Sequence, residues 1–482
     1  MILYVSHHKY HYELENICRI FLPFEELTVT ESDIPTDGDF ICVTENNAEI
    51  SAQLSFKGKT ESRHGIFSPL TEDNELVIES ALMLYSMLSS VLEYKPSWGI
   101  LTGVRPSKLM RTLISQKGED EAREYFQNRL LVTEEKTNLA VNVTRQEEKI
   151  IELSKPQSFS LYVSIPFCPT RCSYCSFVSH SIESAKHLIP PYIDRLCEEI
   201  AQTARIADWN GLKLSTIYFG GGTPTSFTGE QLDKITHAVA ENFDLSDVLE
   251  YTVEAGRPDT ITDEKLAVLK NAGVGRISIN PQTFNDEVLK VIGRNHDSKM
   301  TLSAYENAKK YGFDINMDLI AGLPSDTVDS FKNSIDTAIS LNPANITVHT
   351  LALKRASTLV SQYGIDKDTG DTLSMLDYSA KRLYDSGYLP YYMYRQSRSI
   401  GNLENTGWSI PGKECLYNVY MMEEIHTVLA VGGGAVTKLV NPYKYKIDRV
   451  FNFKFPYEYI DRFEQITARK QAVNDFYSEV KK

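Results

Sequence analysis

The chain has 482 residues, 42% hydrophobic and 24% charged, which is enough for a large core spread over two or three domains. A formal net charge of −14 and a sequence pI near 5.3 argue against a nucleic-acid partner, whose phosphates favour a basic surface. The N-terminus shows no basic segment followed by a long apolar one, and no run of about 18 apolar residues occurs, so no signal peptide and no membrane span are expected. The expected location is the cytoplasm, where seven cysteines are no disulfide framework and clustered ones read as metal ligands.

Residues 1–155 read as an α/β accessory domain. "ILYVS" and "DFICVTE" have strand patterns, "SAQLSFKGKT" alternates like a hairpin arm, and "ELVIESALMLYSMLSSVLEY" has helical apolar spacing. "PSWGILTGVRPSKLM" is a Gly/Pro-punctuated loop entering a helix, and polar helices run through "TEEKTNLAVNVTRQEEKIIEL". "SKPQS", at 154–158, is the expected joint. From there to 388, short apolar runs alternate with amphipathic helices. The runs are "LYVSIP", "TIYFGGG", "YTVEA", "RISINPQ", "INMDLIAGLP" and "NITVHTLAL". Strand-then-helix units imply parallel strands joined by right-handed crossovers, and six of them are too few for a closed eight-unit barrel. The expected fold is therefore α/β, a partial (β/α)6 barrel. Residues 389–482, with "LPYYMYRQSRSIGNLENTGW", "LAVGGGAVTKL" and "VFNFKFPYEYIDRF", read as a small C-terminal domain.

The chemistry concentrates in "SIPFCPTRCSYCSF", where Cys168, Cys172 and Cys175 follow the first barrel strand with C-x3-C-x2-C spacing. Zinc sites usually pair two C-x2-C units or add histidines at fixed offsets, and no fourth ligand is evident here. Iron–sulfur cubanes are held by thiolates, usually four, so three leave one iron open to another ligand.

This spacing, with Tyr174 before the last cysteine, resembles the radical SAM superfamily. The longer stretch "YVSIPFCPTRCSYCSF" resembles the oxygen-independent coproporphyrinogen III oxidase (dehydrogenase) family, and "SWGILTGVRPSKL" and "PYYMYRQSRSIGNLENTGWS" resemble its HemZ-type members. The resemblance implies a 4Fe–4S cluster on the three cysteines, with S-adenosylmethionine (SAM) at the open iron. It also implies a SAM-facing set: Gly221, Gly222 and Thr223 of "YFGGGTPTSF", Glu254 of "TVEA", Gln282 of "NPQ", Arg294 of "GRNH" and Asp318 of "NMDLIAGLP". Tyr162, Tyr174, Ala352 and Val436 match further family contacts. The implied reaction is oxidative decarboxylation of coproporphyrinogen III to protoporphyrinogen IX, by a monomer taking electrons from a flavodoxin or ferredoxin. Phe177 stands where some coproporphyrinogen oxidases carry a fourth cysteine. Members with Phe there include heme-binding chaperone-like and heme-degrading proteins, which makes heme trafficking or another tetrapyrrole-directed radical reaction the alternatives.

A tetrapyrrole with several propionates needs cations. Arg105, Lys354, Arg355, Arg395 and Arg398 are candidates, and "PYYMY" could line an apolar macrocycle pocket. His349 at a strand end reads first as a core histidine. Cys18, Cys42, Cys197 and Cys415 read as inert buried thiols.

Overall fold

The computed structural model describes residues 1–480 except 6–10, 24, 33, 36, 47–48, 67–72, 176–179, 354–368, 397 and 445. The chain divides into two compact units. One holds 1–144, 365–373 and 393–405; the other holds 145–364, 374–392 and 406–482. Two expectations change. The boundary placed at 155 falls at 144, inside the helix Glu134–Ile151. Residues 389–482 form no third compact unit: 393–405 fall in the first and the rest in the second, and the tail's strands pair along the edges of the barrel sheet, where unpaired backbone groups need partners.

The first unit contains the strands β1 (Ile2–Val5), β2 (Thr28–Thr30), β3 (Phe40–Asn46), β4 (Glu49–Phe56) and β5 (Lys59–Ile66), in the order β2-β1-β3-β4-β5. Alternation in β4 buries Ile50, Ala52, Leu54 and Phe56. Lys57 and Gly58, both at positive φ, make the tight turn into β5. The helix Asp73–Leu92 packs on β4, β5 and the helix His11–Phe21, burying Ala81, Leu84, Met87 and Leu88. Among the described residues it contains the one segment, Glu75–Leu92, long and apolar enough to cross a membrane by length and composition. Here that apolarity covers a sheet.

The second unit holds all six expected barrel strands: β6 (Ser158–Ile165), β9 (Lys213–Gly221), β10 (Glu250–Glu254), β11 (Arg276–Ser278), β12 (Asp314–Ala321) and β13 (Asn345–Thr350). Between the first two, β7 (Phe167–Cys168) and β8 (His180–Ser181) form a small separate pair. The six lie parallel in sequence order, β6 next to β9 and β13 at the far end. Crossover helices start at side-chain caps, including a Thr228/Gln231 capping box and Thr262 and Thr327 caps. The tail adds β14 (Leu389–Arg395) and β15 (Glu404–Ser409) beyond β13. It also adds β16 (Thr427–Val431), β17 (Val436–Val440) and β18 (Ile447–Phe451) beyond β6.

At the N-terminal ends of the strands, Arg276 and Glu250 fasten the segment after β15, beside a cavity that both residues line together with Asp314 and Leu416. Arg276, opening β11, donates to the Asn345 side chain and to the carbonyls of Lys413 (2.9 Å) and Glu414 (3.2 Å). Glu250, opening β10, accepts the backbone N–H groups of Leu416 (2.8 Å) and Tyr417 (3.1 Å) and the Cys415 thiol (3.3 Å). This fastens the helix Leu416–Met422, whose Tyr417 ring stacks on Tyr218 of β9 at 4.4 Å between centroids.

Candidate functional site

The expected site residues lie toward the opposite ends of the same strands, the side on which barrels of this class place their chemistry. Cys168 ends β7, and Cys172 and Cys175 lie in the loop toward β8. That loop is closed at its base by the parallel pairing Phe167–His180 and Cys168–Ser181. Cys175 N donates to Cys172 O (3.1 Å), and Ser173 N donates to Ile292 O (3.1 Å), which ties the loop to the turn after the helix Asp286–Val291. The end of β9 lies against it. Gly222 N donates to Ile165 O and Thr223 N to Phe167 O, both at 2.8 Å. A Cβ on Gly222 would sit 2.5 Å from Phe167 O, so the close approach requires glycine there.

None of the three cysteines is in a disulfide; Cys172 is buried and Cys168 and Cys175 are partly exposed. The Thr223 hydroxyl reaches Cys168 Sγ at 3.5 Å, and Arg257 Nη1 reaches Cys172 Sγ at 3.9 Å. Among the described residues no three His, Cys, Asp or Glu side chains converge as a single metal ion requires. Three thiols spread along one loop suit a cubane, whose corners hold their ligands apart. The tight glycine cradle beside them and the cationic side chain at Cys172 suit an anionic thiolate cluster, so the residues fit a 4Fe–4S group.

The polar series is spread over successive β/α units: Glu254 ends β10, Gln282 follows β11, Arg294 follows the helix Asp286–Val291, and Asp318 lies within β12. Glu254, last in β10, accepts the Tyr218 hydroxyl at 2.8 Å. Burial, with the nearby Asp318 charge, pushes its carboxyl up to about 7, against the bonds from Tyr218 and the Gly221 amide. Gln282 is buried at a positive φ of 67°; its N–H donates to Asp318 O and its carbonyl accepts from Ile320 N, both 2.9 Å. Burial works against the Asp318 charge, but bonds from His349 and Asn316 (2.8 Å) hold its carboxyl below the usual range. Arg294 is buried and donates to the carbonyls of Gly256 (3.1 Å) and Asn280 (3.2 Å) and to the Tyr174 hydroxyl (2.7 Å). It thereby links the cysteine loop to the ends of β10 and β11. Tyr162 stacks with Tyr218 and Tyr417. Ala352 follows β13 by two residues, and Val436, 37% exposed, opens β17 opposite Phe451 on the same side.

Several expectations about the remaining residues change. "PYYMY" is core, not a pocket lining. Tyr391, Tyr392 and Met393 are buried, and Tyr392 fills the space a side chain at Gly407 would need. Arg395 is 3% exposed and donates to the carbonyls of Leu101 (2.5 Å), Gly103 (3.4 Å) and Asn402 (3.1 Å) with Trp98 alongside, so backbone carbonyls already occupy it. Arg398 is exposed, and Arg105 is the N-cap residue of the helix Pro106–Lys117. Lys354, Arg355 and Phe177 lie outside the described residues. His349 is no plain core residue, since its Nε2 lies 3.8 Å from Asp318 Oδ2. Cys18, with its thiol pushed up to about 12 by burial, and buried Cys42 and Cys415 match inert thiols; Cys197 is partly exposed. Sequence reading passed over Arg257, Asp259 and His296. They adjoin Glu254 and Arg294 in the chain, but the approach of Arg257 to Cys172 and of His296 to Asp259 is created by the fold. It also passed over Tyr417, which arrives from a distant helix.

A model of the radical SAM superfamily matches residues 162–338. The chain is 36% identical over 476 residues to the oxygen-independent coproporphyrinogen-III oxidase-like protein HemZ of Bacillus subtilis (strain 168), covering 95% of this chain and 94% of that one. It is 32% identical over 331 residues to the heme chaperone HemW of the same organism, covering 67% and 83% of the two chains. Among solved structures, the coproporphyrinogen III oxidase HemN from Escherichia coli, described as a radical SAM enzyme, superposes with a TM-score of 0.53 at 24% identity, over 67% of this chain and 73% of that one.

Proposed function

We propose, for a chain that belongs to the HemN/HemZ-type family of radical SAM proteins, that it oxidatively decarboxylates propionate side chains of a porphyrinogen, with coproporphyrinogen III as substrate. Its cofactors are those of the superfamily, a 4Fe–4S cluster and S-adenosylmethionine, which when bound supply radical hydrogen abstraction. The carrying observation is the ordered set of Glu254, Gln282, Arg294 and Asp318 on successive β/α units, in the same unit as the three-cysteine loop. The similarity to a coproporphyrinogen-III oxidase-like protein over nearly the full chain directs the substrate.

In this reading Cys168, Cys172 and Cys175 hold the cluster. Gly221, Gly222 and Thr223 leave room for the methionine end of SAM, and Glu254, Gln282, Arg294 and Asp318 orient it with Tyr162, Tyr174, Ala352 and Val436 around. Asp318, kept ionised, accepts hydrogen bonds, and His349 holds it in place. The propionate would become a vinyl group by loss of a hydrogen atom to the radical that SAM supplies, of carbon dioxide, and of one electron to an external one-electron acceptor. A flavodoxin- or ferredoxin-type carrier supplies the reducing electron. None of these residues is required as a strong base. The test is anaerobic incubation of reconstituted protein with SAM, a reductant and coproporphyrinogen III, read by mass spectrometry. Vinyl-bearing product is expected. Tight heme binding with no substrate-dependent SAM cleavage would overturn the reading in favour of heme trafficking, the second reading that the HemW similarity supports.

A further inference from the structure

Arg257 is 3% exposed and committed on every side. Its Nε and Nη2 grip the two Asp259 oxygens at 3.0 and 3.2 Å, a planar fork that fixes the guanidinium. The remaining edge, Nη1, points into the cysteine loop. It meets Thr170 Oγ1 at 3.1 Å, Thr170 O at 3.4 Å and Cys172 Sγ at 3.9 Å. Behind the pair sits His296, whose ring nitrogens have no hydrogen-bond partner and whose Nδ1 is 3.9 Å from Asp259. Burial, with Arg294 and Arg257 adding, pushes that imidazole down to about 4, so it is neutral at neutral pH and brings no charge. A buried ion pair gains little stability over apolar packing, so its placement calls for another reason.

We propose that Arg257 sets the reduction potential of the cluster through Cys172, with Asp259 as the counterweight that limits the effect. An N–H aimed at a ligating sulfur and a positive charge beside it both favour the added electron, because cluster potentials follow net charge and hydrogen bonds to sulfur. Asp259 cancels part of the charge while holding the donor in place. The role is one of tuning and positioning; it rests on the superfamily's cluster and not on the porphyrinogen reading.

The arrangement makes a prediction of sign. In an EPR-monitored redox titration of reconstituted protein, without SAM or substrate, Arg257→Met lowers the midpoint. The ratio of reduced to oxidised cluster at fixed potential drops about tenfold, ~59 mV for one electron. Asp259→Asn raises the midpoint, by roughly threefold in the same ratio, since the cation loses its counter-charge. Iron per chain stays at the wild-type value in both. Shifts of the same sign, or no shift with iron retained, overturn the proposal. If Arg257→Met loses the cluster, Asp259→Asn and Arg257→Lys decide: an upward shift in the first and a smaller downward one in the second support it, and their absence reduces Arg257 to a structural residue.

Discussion

Strand β10 carries a glutamate at each end, and the two are treated in opposite ways. Glu250 is consumed by the protein. Two backbone N–H groups, a thiol and the nearby Arg276 guanidinium, 3.7 Å away, face its carboxylate. Glu254 has a tyrosine hydroxyl and one amide, and burial drives it toward the neutral form. Around Glu254 the contrast continues: Asn280 Oδ1, Arg294 Nε and both His296 nitrogens are buried without hydrogen-bond partners. A buried polar atom left unpaired costs about 1–3 kcal/mol. The carboxylate of Glu250 is used to hold the fold, while around Glu254 several polar groups are left that a ligand can satisfy.

The widest separation of the two ends comes from the thiols. Cys172→Ala abolishes the iron-dependent brown absorbance and SAM cleavage, while alanine at Cys18, Cys42, Cys197 and Cys415 leaves iron per chain unchanged, as measured by iron and sulfide analysis. Next, Glu250→Gln costs about 2–4 kcal/mol in urea unfolding, because the amide weakens its bonds to the helix Leu416–Met422 and leaves Arg276 without a counter-charge. SAM affinity of the folded fraction stays at wild type; a weakened affinity would erase the distinction between the ends.

Glu254 supplies a smaller effect with a definite sign. Its folded pKa of about 7 lies above the ordinary carboxylate value, so the folded state binds the extra proton. The stability this contributes is full below the unfolded value and is lost as pH rises through about 7. Glu254→Gln removes that pH dependence, on the order of 2 kcal/mol after allowing for its partial exposure, in urea titrations across that window. A flat wild-type profile would contradict it. Smallest is Asp318→Ala, which raises the SAM dissociation constant about tenfold, ~1.4 kcal/mol, with iron content and unfolding midpoint nearly unchanged. Loss of iron with SAM binding would assign Asp318 a structural role instead.

Local chemistry made much of this legible in the amino-acid order. Six apolar runs separated by capped helices define parallel strands, since each crossover must bury one helix face on the sheet. The three cysteines within eight residues after the first run stand out by their spacing, and the family resemblance gives them as cluster ligands. Glu254 could be placed at the end of one strand and Asp318 inside another from the apolar runs, while the family resemblance was needed to mark them and Gln282 as a set. Arg395 misled because an arginine beside tyrosines has the same local sequence whether it meets a ligand or the carbonyls of Leu101 and Gly103. Residues far apart in the chain had to be folded together to decide that. The tail misled for a related reason: its strands carry ordinary strand patterns, and only the need to pair open sheet edges assigned them to the barrel sheet. The order of residues was thus sufficient for the strands and the three-cysteine loop, and with the family resemblance for the carboxylates. Long-range packing alone decided that Arg257 rather than Arg294 points at Cys172, that Tyr417 stacks on Tyr218, and that Glu250 and Glu254 have different tasks, because each depends on which distant backbone atoms remain to be satisfied.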